Sequence, residues 1–264
     1  MTVTTLAPSA AGSDLQPPRG FIHDTWVVAK RGLVHMKRQP EALSDATIQP
    51  IMFVLLFGFV FGGAIAVPGG GNYREFLMGG IFAQTIVFTA FGVAMSIAND
   101  FKNQAVDRFR SLPLARGSVL GGHAVANLMK TVLPIVIMSV CGLLVGWRIS
   151  GGLVDAVFCY FLMLFFAFAM IWVGVLLGSV VGTPEGVTGL GFVVLFPLTF
   201  VASTFVPTDS MPPVLQTVAQ WNPVTTLSDS IRILFDNPHG TPAANAPWPS
   251  HHPCLLYTSD AADE

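Results

Sequence analysis

Charge is what this chain has least of. Of its 264 residues, 11% are Asp, Glu, Lys or Arg and 52% are hydrophobic, whereas an ordinary soluble domain is about 25% charged. Long apolar runs with so little charge place the chain in a lipid bilayer. The net charge is −2, which gives no basic footprint for nucleic acid. Catalytic signatures are missing as well. There is no G-x-x-x-x-G-K-[ST] phosphate loop, no H-E-x-x-H and no G-x-S-x-G. The chain therefore cannot hydrolyse ATP by that route, and protease or lipase activity has no support. No catalytic residue is predicted. The three cysteines have no metal-ligand spacing, so neither a metal site nor a disulfide framework is expected. Cys141 and Cys159 lie in apolar runs and read as packing residues. His23, His35, His123 and His239 are scattered and read as polar-face residues. The first 20 residues have no apolar core, so they are not a cleaved signal peptide and read as a disordered cytoplasmic tail.

Apolar runs of spanning length fill most of the rest. A span needs about 20 mostly apolar residues. The fold expected is an all-α integral membrane protein with five transmembrane helices. These are roughly Ala46–Val67, Leu77–Ala98, Ala124–Gly146, Leu153–Val181 and Val187–Val206. A barrel is excluded because the alternation of its strands is absent. Lys130, Asp155 and Glu185 sit near span ends, and the span middles hold no charge, which argues against a proton- or sodium-coupled carrier. Of the 13 Lys and Arg residues, nine fall in two segments on one side: Arg19, Lys30, Arg31, Lys37 and Arg38 before the first span, and Lys102, Arg108, Arg110 and Arg116 after the second. Arg74, Arg148 and Arg232 fall on the other. The basic side is predicted to be cytoplasmic, and the N-terminus with it.

Three segments flank or interrupt the spans. In residues 1–45 a helix is expected with Trp26, Val27, Leu33 and Val34 on one face and Lys30, Arg31, Lys37 and Arg38 around the rest, lying in the headgroup layer until Pro40; the alternative is a plain basic flank that only sets topology. The transmembrane domain is expected over residues 46–253. After the fifth span, Phe205–Phe235 is too polar to cross. Ser210 is a candidate cap for a short helix starting at Pro212–Pro213, with Val214, Leu215 and Val218 as its apolar side. Asn222–Pro223 breaks it, and a second short helix follows; both are expected at the outer surface. The last 11 residues, "CLLYTSDAADE", are compositionally foreign and resemble a translated sequencing-library adapter. Residues 254–264 are therefore expected to be an artefact tail, with the gene cut at about Pro253.

The basic loop after the second span, "NDFKNQAVDRFRSLPLARGSVLGGH", contrasts with its surroundings. Asn99 or Asp100 can cap a helix there, and "QAVDRFRSL" has helical propensity before Pro113 stops it. Phe109 and Leu112 share a face, and Arg108 and Arg110 offer charge-assisted contacts beside it. From charge alone, a basic loop that only sets topology remains equally open. Asp107–Arg116 resembles the signature loop of ABC type-2 transporter permeases of the daunorubicin-resistance kind, whose pattern is close to D-R-[FL]-[RK]-[ST]-[LM]-P-[ML]-[AS]-R. Gln49–Ile65 is similar to that family's first span, and Leu195–Thr225 to its fifth span and outer segment, Asn222–Pro223 included.

The resemblance implies a six-span permease subunit of an ATP-driven exporter, with the sixth span missing here because the chain stops at "NAPWPSHHP" before the adapter-like tail. It implies a cytoplasmic ATPase partner that binds ATP and magnesium, no cofactor on this chain, and a permease homodimer in the bacterial plasma membrane. It makes Asp107, Arg108, Phe109, Arg110, Ser111, Leu112 and Pro113 the helix that couples to the ATPase. The cargo expected is an amphipathic drug-like compound or a lipid. The alternatives are a polysaccharide or lipo-oligosaccharide exporter permease and, in another class, a non-transporting scaffold or immunity protein. Gln84, Thr85 and Thr89 put polar groups inside the second span and are candidates for the substrate path; interhelical hydrogen bonds are the competing role. The pairs Gly58/Gly62, Gly142/Gly146 and Gly174/Gly178 permit close helix approach. Pro134 and Pro197 are candidate kinks.

Overall fold

The computed structural model describes residues 30, 40–60, 72–103, 118–208 and 211–237. The expected N-terminal amphipathic helix, Ser210 and the adapter-like tail lie outside these residues. Among the described residues the fold is helical with no strand. The helices are α1 Pro40–Val60, α2 Tyr73–Lys102, α3 Ser118–Val145, α4 Leu153–Val181, α5 Pro184–Leu190, α6 Phe196–Phe200, α7 Pro213–Gln220 and α8 Pro223–Leu234, with one π turn, Gly191–Leu195, between α5 and α6.

Tyr73–Lys102, Ala124–Val145 and Leu153–Val181 are each long and apolar enough to cross a bilayer. Of the other two apolar stretches, the described residues show Ile48–Val60 and Pro184–Phe200 as helices. The fifth segment was expected over Val187–Val206, yet it starts at Pro184 and stops at Phe200. Its start follows from the Thr183 cap, whose hydroxyl accepts from the Gly186 N–H, with Pro184 in the first turn. Its stop has a tertiary cause. The Ser203 N–H donates to Thr225 Oγ1 at 3.1 Å, so that donor is taken by α8 rather than by a continuing helix. One residue, Phe196, separates Pro197 from the π turn, which absorbs the irregularity a proline imposes.

α2 is the central helix. It packs against α4 along much of its length and also touches α1, α3, α5 and α8. Phe76, Phe82, Ile86, Val87 and Ala94 are all buried on it. Gly174 and Gly178 of α4 lie against the carbonyls of Ala90 and Ala94, where a Cβ has no room. This pair therefore serves the close approach its spacing predicts. Gly142 does likewise against Met78 and Trp147, while Gly146 ends α3 at φ +105°. On its other side α4 exposes Val157, Phe161, Phe165, Trp172, Leu176 and Val180. That apolar helical stripe, whose own backbone bonds are internal, suits lipid and not water.

The two outer helices differ. α7 exposes Val214, Leu215 and Val218, Trp221 just after it is exposed too, and only Ala219 is buried in the helix. In α8, by contrast, Val224, Leu227, Ser228, Ile231 and Arg232 are buried. It packs on α2 because Gly79 and Gly80 leave room: a Cβ on Gly79 would meet the Arg232 side chain and the Ser228 carbonyl, and one on Gly80 the Thr204 backbone.

Candidate functional site

Polar chemistry is concentrated at three places along α2: its two ends and one point within the span. At the N-terminal end, Arg232 of α8 is fully buried. Its Nε donates to the Phe76 carbonyl at 2.9 Å, Nη1 to Ser203 Oγ at 3.0 Å and to Asp229 Oδ1 at 2.7 Å, and Nη2 to the Ser203 carbonyl at 2.6 Å. The guanidinium also lies 3.7 Å from the centre of the Phe76 ring, a cation–π contact in a desolvated place. Tyr73 Oη donates to the Phe205 carbonyl at 3.0 Å. Burial lowers the guanidinium's pKa from its ordinary value and Asp229 beside it works the other way; arginine keeps its proton in either case. One cation thus ties α2, the turn 201–206 and α8 together.

The same end holds a second arginine. Arg74 Nη1 donates to the Val145 carbonyl at 3.1 Å and Nε to the Gly58 carbonyl at 3.5 Å, and its guanidinium lies over the Phe59 ring. These carbonyls belong to the last turns of α3 and α1, where a cation meets the negative ends of both helix dipoles. Trp147 Nε1 donates to Asn237 Oδ1 at 2.7 Å, and the Ser150 and Gly151 N–H groups donate to the Phe235 carbonyl. The connection after α3 is thereby fastened to the end of α8.

Within the span, Gln84 is 2% exposed and neither its Nε2 nor its Oε1 has a hydrogen-bond partner. The other two predicted path residues are already satisfied: Thr85 Oγ1 donates to the Ile81 carbonyl and Thr89 Oγ1 to the Thr85 carbonyl. This is the ordinary back-bond of a helical threonine. Gln84 lies one turn along from Gly80, on the face that meets Thr204. Among the described residues the Thr204 hydroxyl is likewise buried with no partner.

At the opposite end, Lys102 Nζ, the last residue of α2, lies 2.6 Å from Glu185 Oε1 at the start of α5. Both side chains are more than half exposed. The hydrogen bond from Lys102 holds the Glu185 carboxyl below its ordinary pKa. Asp107, Arg108, Phe109, Arg110, Ser111, Leu112 and Pro113 lie outside the described residues.

The Arg232 cluster was not expected from sequence, where Arg232 served only to mark the outer side. One signal pointed to it. Asp229 and Arg232 stand three apart, facing each other on a helix, and they are the first charges after Met211.

Comparison with known proteins adds the context. The profile of the family described as ABC-2 type transporter matches residues 23–235. Over 211 residues the chain is 31% identical to the daunorubicin resistance ABC transporter permease protein DrrB1 of Streptomyces coeruleorubidus, covering 80% of this chain and 73% of that one. It is 26% identical over 226 residues to a transport permease by name, ycf38, of Cyanophora paradoxa, covering 82% and 76%. It is 25% identical over 230 residues to the protein of the same name in Porphyra purpurea, covering 82% and 75%.

Proposed function

The chain belongs to the ABC-2 type transporter family, and from that premise we propose that it is the membrane subunit of an exporter driven by a separate cytoplasmic ATPase. It is a multi-pass membrane protein of a family of transport permeases. The cargo we propose is an amphipathic drug-like compound or a lipid, moved outward across a bacterial plasma membrane. The observation that carries this reading is the similarity, over 80% of the chain, to a permease named for daunorubicin resistance. The missing phosphate loop supports a borrowed motor.

In this reading α1 and the stretch from Val187 to Phe200 are the first and fifth spans, with Glu185 just outside the latter, and the N-terminus is cytoplasmic. Asp107–Pro113 is the ATPase-docking helix, and two copies of the permease enclose the path. Of the three path candidates, Gln84 is the one with hydrogen-bonding capacity to offer a cargo, because Thr85 and Thr89 have spent theirs.

The test is reconstitution in vesicles with the partner ATPase and ATP, with daunorubicin as the probe. ATP-dependent accumulation of daunorubicin, with hydrolysis stimulated by it, is the expected result. Phe109→Ala is expected to lower ATPase co-purification while the subunit still inserts. Hydrolysis indifferent to daunorubicin and to lipid, with no movement of either, would overturn the reading.

A further inference from the structure

The Lys102–Glu185 pair joins two segments that the proposed function puts to different uses. α2 ends at Lys102, five positions before Asp107, so whatever moves residues 107–113 pulls first on this end. α5 is carried on the same stretch of α2. Val187 is fully buried together with Ala94 and Ala98. The Thr188 hydroxyl reaches Met95 Sδ at 3.6 Å. Gly191 lies against the Phe91 ring so closely that a Cβ would not fit. The ion pair closes the open end of this contact, between residues 83 apart in sequence.

Beyond Gly191 the backbone changes character. The π turn Gly191–Leu195 separates α5 from α6. Within the turn Phe192 and Val193 are exposed, and just past it Phe196 is exposed and stacks on Phe200 at 4.4 Å. The fifth segment therefore has a half fastened to α2 and a half whose aromatic side is free, with a π turn between them. Such turns concentrate at functional sites and tolerate changes of helix direction.

We propose that Lys102 and Glu185 are positioning residues that make α5 follow the end of α2, so that movement imposed on residues 104–117 passes into the fifth segment and is taken up at the π turn. The proposal rests on the exporter reading for its consequence and on the ion pair and packing for its mechanics. An exposed ion pair adds little to global stability, so its loss is read in the local α2–α5 distance and in coupling rather than in the melting temperature.

The experiment uses charge reversal in the full chain: Lys102→Glu, Glu185→Lys and both together. With the ATPase in vesicles, each single reversal is expected to keep ATP hydrolysis and the melting temperature while daunorubicin moved per ATP falls about fivefold or more, the size of an ordinary coupling term. The double reversal is expected to restore it. A second readout needs no ATPase. Spin labels on cysteines placed at Asn99 and Gly189, both exposed, report whether α5 stays on α2. A narrow distance distribution is expected in the unreversed and doubly reversed chains, and a broad one in the singles. Singles that give the narrow distribution, or a double no better than the singles, overturn the proposal. If the unreversed complex moves nothing, the exporter reading fails while the labels still decide whether this pair holds α5.

Discussion

Replacing Arg232 by methionine isolates the tie between α8 and the bundle. The variant keeps the unbranched apolar stem of the side chain and removes its charged fork. The Phe76 and Ser203 carbonyls lose their guanidinium donors, and Asp229 loses its cation but keeps the Ser203 hydroxyl at 3.1 Å. Breaking a buried charge pair costs about 3–5 kcal/mol. The Asp229 side chain is 32% exposed, so water compensates it in part, and the loss is expected at the lower end, about 3 kcal/mol. For a chain of this size that corresponds to a fall of about 6–12 °C in Tm. Asp229→Asn is expected to cost less, about 1–2 kcal/mol, because the two carbonyl contacts of Arg232 survive. Arg232→Lys is expected between the two, since a single ammonium cannot reach both sides of the fork. Thermal melting in detergent followed by tryptophan fluorescence measures the series, with Trp147 buried beside Phe235 as the reporter. A methionine variant that melts within about 2 °C of the parent, or an asparagine variant as unstable as the methionine one, would refute the reasoning.

Three further outcomes follow from local geometry. Gly80→Ala must push the Thr204 backbone away and is expected to lose about 1–3 kcal/mol, whereas Gly92→Ala on the same helix meets nothing within 4 Å and is expected to gain about 0.5–1 kcal/mol; equal melting temperatures would contradict the packing of α2 on the turn 201–206. Gln84→Leu removes a buried carboxamide with no partner and is expected to raise stability by about 1–2 kcal/mol while lowering daunorubicin export, so a stabilised variant that exports normally would remove Gln84 from the path. The Glu185 carboxyl is held below its ordinary pKa by Lys102. The pair is therefore whole at and above the ordinary glutamate range and is lost as pH falls through the depressed value. The Asn99–Gly189 label distance is expected to stay narrow from neutral pH down into that range and to broaden only below it, with Glu185→Gln broad throughout.

How much of this was legible in the sequence depends on how local each cause is. Three spans could be read directly because lipid demands a helix that satisfies its own backbone, and a long charge-free run such as 156–181 has no other stable form there. The Asn222–Pro223 break was legible for the same local reason: Asn222 caps α8, its side chain accepting from the Val224 N–H at 2.9 Å with Pro223 in the first turn. The end of the fifth segment was not legible. Residues 201–206 are apolar enough to continue a helix, and what stops them is a threonine and an arginine 22 and 29 residues further on. The threonines of the candidate path could have been discounted from spacing alone, since a carbonyl four residues back is always within reach of a helical hydroxyl. Gln84 could not be placed that way, because no local partner exists for a carboxamide in the middle of a span.

The same distinction explains where the functional residues lie. A bilayer tolerates few polar groups at depth, so the spans carry packing and little else, and specific chemistry is pushed to the helix ends. Arg74 and Arg232 fasten one end of α2 with donors aimed at carbonyls of α1, α3 and the turn 201–206. At the other end the one ion pair among the described residues is exposed, and the remaining contacts are apolar: Val93 and Ile97 against α3 and α4, and the small residues Ala94 and Ala98 beneath Val187. Buried charge-assisted bonds resist displacement far more than exposed ones do. A push on the Lys102 end of α2 is therefore expected to tilt the helix about its Arg232 end, carrying α5 with it and leaving α8 in place.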